Sequence, residues 1–148
     1  MRITRLGIVV LALLVIACGT SRAIPTVAPN ANIVVPSYEV IASKAHDMTD
    51  AQWKQYSAGL VGGIFRDWTG WIVDVEEKRD GSYLVKIALD PPETAWRTYK
   101  VEFNLSKDEA ISLNKNQKVL FGGTIVSVEN PLGECYIKAS GAVIRPAP

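Results

Sequence analysis

Five segments of alternating apolar residues, running as three strands, a short helix and two further strands, predict a mainly β domain with short helices. That order is the order of a five-stranded OB-fold-like barrel, here preceded by an N-terminal helix. The Gly122-Gly123 pair inside the fourth strand adds to this reading, because a strand that coils round a barrel needs a bulge or a sharp bend. The residues from 38 to 148 amount to one domain, with no internal repeat and no second linker.

Thr49 and Gln52 fit a capping box ahead of Trp53, Tyr56 and Leu60 at helical spacing, which predicts a helix from Asp50 to about Ala58. Tyr38 to Ala45 is expected to add a helical turn or two before Asp47 and Met48 interrupt it. Gly59, Gly62 and Gly63 break the helix. Trp71, Val73 and Val75 then alternate with Ile72, Asp74 and Glu76 as a half-buried first strand, with Trp71 in the core. Asp80-Gly81 favours positive φ and closes a hairpin onto Tyr83 to Asp90, whose residues Tyr83, Val85, Ile87 and Leu89 face inward. Pro91 and Pro92 open a loop through Trp96, after which Tyr99, Val101, Phe103 and Leu105 alternate against Thr98, Lys100, Glu102 and Asn104.

Ser106 and Glu109 form a second capping box, and Ala110, Ile111 and Leu113 give a helix of about two turns a short apolar face. Asn114 to Gln117 reads as a helix exit with an asparagine in the left-handed conformation. The fourth strand covers Lys118 to Val128. A turn at Asn130-Pro131-Leu132-Gly133 leads into a fifth from about Glu134 to Ile144.

Three stretches, Trp68-Thr69-Gly70-Trp71-Ile72-Val73-Asp74-Val75, Leu113-Asn114-Lys115-Asn116-Gln117-Lys118-Val119 and Gly123-Thr124-Ile125, resemble the tRNA-anticodon-like OB family of bacterial lipoproteins and small exported proteins. The resemblance spans roughly Thr49 to Ile144. Asn116 stands where that family usually carries glycine, and asparagine tolerates the positive φ this position calls for. These motifs are structural, so the resemblance implies a fold more than an activity.

The first 17 residues read as an export signal: Arg2 and Arg5 precede an uninterrupted apolar run from Leu6 to Ala17. As a helix that run would be about 18 Å long, well short of a hydrocarbon core of about 30 Å. Val15-Ile16-Ala17-Cys18 resembles the lipobox of bacterial lipoproteins, which implies cleavage before Cys18, acylation of its sulfur and a further acyl chain on the new N-terminus. Two or more chains anchor a protein stably where one does not. The alternative is a plain secretory signal or an uncleaved anchor. Residues 18–37, with Pro25, Pro29 and Pro36, then form the lipidated end and a tether reaching roughly 25 Å if flexible. The expected location is the bacterial cell envelope. Gly19, rather than aspartate, leans toward the outer membrane in a Gram-negative host; otherwise the outer face of the cytoplasmic membrane is expected.

Cleavage removes two arginines and leaves 14 basic residues against 15 acidic, a net charge of −1. A nucleic-acid binder draws its affinity from a basic excess, which is missing here. The outer face of strands two and three, where OB proteins stack bases, is expected to carry two lysines, two carboxylates and no ring. Enzymatic chemistry finds no constellation either. His46 is the single histidine and precedes the barrel, so no catalytic residue, metal ligand or cofactor is assigned. With Cys18 acylated, Cys135 is left as a small buried residue without a disulfide partner.

What remains is a non-enzymatic binding or interaction module, meeting an envelope protein or a glycan. The alternative is an OB domain for an oligomeric ligand: glycan, peptide or, less favoured, single-stranded nucleic acid. Trp68, sharing parity with Ile72 and Asp74 on the outward side, and Trp96, in the loop between strands two and three, are the ligand-contact candidates. Both rings could instead cover the barrel ends or pack on the helix of Trp53.

Overall fold

The computed structural model describes residues 33, 35–94 and 98–148. Two helices, α1 (Tyr38–Asp47) and α2 (Asp50–Leu60), precede the strands β1 (Ile64–Glu77), β2 (Tyr83–Ala88) and β3 (Val101–Leu105). A single helical turn, α3 (Lys107–Ala110), leads to β4 (Lys118–Glu129), and a short 3-10 turn (Pro131–Gly133) leads to β5 (Tyr136–Pro146). The strands close into a barrel in the order β1-β2-β3-β5-β4, antiparallel except for the β3–β5 pair. This is the OB-fold-like barrel that the strand order predicts.

The interior is built from alternating positions. Ile72, Val85, Ile87, Val101, Phe103, Val119, Phe121, Ile125 and Ile137 are all essentially inaccessible to water. Phe65, Phe103 and Phe121 meet at the centre with centroids about 6 Å apart, two of the three pairs edge to face, as aromatic quadrupoles prefer. Glycines make room for them. A Cβ on Gly123 would lie 2.7 Å from the Phe103 ring, and one on Gly70 would lie 2.5 Å from the Ala88 carbonyl oxygen.

Local chemistry places the ends of the elements as the sequence anticipates. Thr49 and Gln52 exchange capping bonds at the start of α2, and the Ser106 N–H donates to Glu109 Oε2 at 2.9 Å at the start of α3. Gly81, at φ 80°, closes the β1–β2 turn, where the Ser82 N–H donates to Asp80 Oδ1. Asn116 takes φ 64°, and its N–H donates to the Ile72 carbonyl at 2.7 Å. The Asn–Gln exit therefore stitches the end of α3 to the middle of β1. The register of β4 shifts between Gly122 and Thr124, at the glycine pair.

Four expectations are corrected. The helical turn before Asp47 is a complete helix, α1, because Ile41 and Ala45 lie one turn apart and bury together on the barrel. The α3 helix is one turn rather than two, and Ile111 projects into solvent at 75 % exposure. β1 begins at Ile64, since Phe65 reaches the core before the Trp68 motif starts. Within β1 the faces are exchanged: Gly70 and Ile72 point inward and Trp71 is only half-buried. A register shift between Ile72 and Asp74 then returns Val75 to the inner side, so no single alternation describes this strand.

A Phe103→Ala substitution is expected to lose about 3–5 kcal/mol of stability, whereas Ile111→Ala should change it by less than about 0.5 kcal/mol. Chemical denaturation of the two variants measures both.

Candidate functional site

The outer face of β2 and β3 is not bare of rings. Thr98 to Lys100 precede β3 in irregular backbone that still pairs with its neighbours: the Lys100 N–H donates to the Ile87 carbonyl, and the Ile137 N–H donates to the Lys100 carbonyl. Strict alternation does not hold before Val101, and Tyr99, expected inside, turns out onto the surface. There its ring meets that of Tyr136, the first residue of β5, edge to face at 5.6 Å between centroids. Tyr99, Glu102, Glu129, Pro131, Tyr136 and Lys138 line a concavity of about 310 Å³.

Charges surround the two rings in pairs. Lys86 Nζ lies 5.6 Å from the Tyr99 centroid and bonds Glu76 at 2.7 Å; Lys100 Nζ lies 5.1 Å from the Tyr136 centroid and bonds Glu134 at 2.9 Å. Lys138 bonds Glu129 at 2.8 Å and approaches Glu102 at 4.0 Å. Three lysines thus stand against four glutamates. The Tyr136 hydroxyl donates to Glu134 Oε2 at 2.6 Å, which pushes its phenol up to about 12, with burial and the glutamate charge adding to the effect. The same bond, together with the one from Lys100, holds the Glu134 carboxyl below its ordinary value. Burial, then the charge of Glu102, raises the Tyr99 phenol.

The β4–β5 loop forms one rim of the concavity. Leu132 at its tip is fully exposed at φ 57°, a left-handed conformation that costs a branched side chain roughly 1–2 kcal/mol. The opposite side of the loop is fastened to α1. The Tyr38 hydroxyl donates to the Cys135 carbonyl and the Asn130 amide donates to the Ala45 carbonyl, both at 2.9 Å. Cys135 itself is buried, and burial lifts its thiol to about 11, away from any thiolate chemistry at neutral pH.

The candidates named from the sequence fall elsewhere. Trp68 lies on the inward parity of β1 and packs at the barrel end, 4.4 Å from the Phe65 centroid and 6.3 Å from those of Phe121 and Tyr38. Its half-exposed edge lines a concavity with Ser37, Tyr38, Thr69, Trp71 and Leu89, separate from the tyrosine face. Trp96 and Cys18 lie outside the described residues. Tyr99 escaped the sequence reading because an alternating pattern carries no mark of where strand geometry begins. Tyr136 carries no local signal of its role, because the ring it meets lies 37 positions earlier in the chain.

Among the described residues no group of three or more His, Cys, Asp or Glu side chains could hold a metal ion. No protein-family model and no curated protein matches the chain.

Replacing the charged acceptor with a neutral amide in Glu134→Gln should lower the titration midpoint of Tyr136 from about 12 toward the ordinary tyrosine value of 10. The sign follows from linkage. The raised phenol stabilises the fold fully below the unfolded value and loses that contribution as pH rises through about 12. A phenolate absorbance titration of both proteins measures the shift.

Proposed function

We propose that this chain is an exported lipoprotein of the bacterial cell envelope, held at the membrane by acyl chains on Cys18, whose OB-fold-like barrel is a non-enzymatic binding module of the tRNA-anticodon-like type. The tyrosine face is its ligand site. The lipobox-like Val15-Ile16-Ala17-Cys18 supports the anchor, and no helix among the described residues is long and apolar enough to cross a membrane. The motifs quoted above support the family.

The observation that carries the binding reading is the Tyr99–Tyr136 pair. It is a half-buried aromatic platform on the outer side of the β3–β5 pair, bordering the β2–β3 face and beside the β4–β5 loop that OB folds present to oligonucleotides and oligosaccharides. Charge chooses between those two classes. Each lysine beside the rings is bonded to a glutamate, and the carboxylates are in excess, so a phosphate chain would meet repulsion rather than counterion release. A neutral oligosaccharide meets ring faces for its apolar C–H surface, with carboxylates and ammonium groups ready to bond its hydroxyls. Leu132, exposed in an unfavourable conformation at the rim, adds an apolar contact that a ligand would cover.

Titrating the labelled protein with chitotetraose should move the amide signals of Tyr99, Tyr136 and Lys138, and Tyr136→Ala should weaken binding about tenfold. Tighter, salt-dependent binding of oligothymidylate on the same face would overturn the glycan reading. For the anchor, Cys18→Ser should release the protein from the membrane fraction of intact cells, while unchanged processing and retention would refute lipidation.

A further inference from the structure

A second concavity, about 550 Å³ in volume, lies on the outer face where β1, β4 and β5 run side by side, and it shares no lining residue with the tyrosine face. Its size falls within the range of small-molecule sites. The opening arises where β1 loses register with β4 between Phe65 and Trp68, with Asp67 held at φ 55°. Bare backbone lies beneath it. Gly122 sits opposite Val143 in the β4–β5 register, and a Cβ there would lie 2.7 Å from the Phe65 carbonyl oxygen; Gly141 leaves its own stretch of β5 open.

The walls are apolar and the rim is cationic. Val143 is 67 % and Ile64 40 % exposed, and Leu120 on β4 lines the same groove opposite Arg145, two residues along from the Gly122–Val143 pair. Arg145 reaches across from β5 to Asp67 at 2.8 Å, with both side chains largely in water. An exposed pair of this kind holds weakly, so the guanidinium can exchange its carboxylate for another. Arg66 lines the same groove and makes no ion pair among the described residues. Two guanidinium forks against one carboxylate leave a net positive charge, and a guanidinium fork can pair with a carboxylate through two parallel hydrogen bonds.

We infer that this groove binds an anionic amphiphile: a molecule with one carboxylate, seated on Arg66 and Arg145, and a short apolar chain lying along Ile64, Leu120 and Val143. The apolar walls account for the chain and the surplus guanidinium for the head. This site is independent of the glycan reading, because the two faces are separate.

The test compares decanoate, decanol and decyltrimethylammonium, each below its aggregation limit, by amide shift mapping on the isotope-labelled full chain. Decanoate should move the signals of Gly122, Gly141, Val143 and Arg145 and leave those of Tyr99 and Tyr136 in place. Arg66→Ala/Arg145→Ala, which leaves Asp67 facing the anion, should weaken decanoate at least about tenfold. Val143→Asp should abolish binding, and both variants should retain wild-type amide dispersion and chitotetraose response. Equal binding of decanol or of the cationic amphiphile would overturn the proposal. So would decanoate shifts confined to other surfaces, or an arginine variant that binds decanoate as the parent does.

Discussion

A barrel of five strands closes only if one strand can serve neighbours that diverge, and β1 carries that demand here. Its 14 residues pair with β4 through the first half and with β2 through the second, overlapping only at Trp71. A flat strand cannot do this. β1 coils through two losses of register, one between Phe65 and Trp68 and one between Ile72 and Asp74. The first lets Phe65 and Trp68 both pack toward the barrel interior and opens the groove beside Arg66. The second lets Ile72 and Val75 share the core although they sit on opposite parities. Fold closure and the groove beside β1 therefore have one cause.

Close packing inside holds the coil in place. Phe103 and Phe121 fill the centre, and they do so because Gly123 and Gly70 have no side chain to occupy the same space. At one end the barrel is covered by α1, whose Ile41 is completely buried and whose Tyr38 bonds the backbone of the β4–β5 loop. That loop thus stands between the helix and the tyrosine face. Its inner side is fixed to α1 while its tip, with Leu132, remains in water. A rigidly backed loop with an exposed apolar tip is suited to meeting a ligand with little loss of conformational freedom.

Much of this architecture was legible residue by residue. The β2 and β3 alternations, the two capping boxes, the Asp80-Gly81 turn, the left-handed Asn116 and the irregularity at Gly122-Gly123 each follow from chemistry confined to a few neighbours. The strand positions that were misread share a cause. Trp71, Ile72, Trp68 and Tyr99 all lie at or beside a place where regular pleating stops, and beyond such a place parity no longer tells which way a side chain points. The candidate site was the least legible part. Tyr99 and Tyr136 are 37 positions apart in the chain, and β3 and β5 bring them together through the single parallel pairing of the barrel.

By itself, then, the sequence determined the barrel class, the two capping boxes and the turns at Gly81 and Asn116, because each is written in local spacing and residue type. Only the tertiary structure decided which face of β1 is the core, that two tyrosines form a platform, and that every lysine beside them is balanced by a glutamate. Those outcomes depend on strand coiling and on contacts between residues distant in sequence. No local pattern encodes them, since the energy that selects them comes from closing the barrel as a whole.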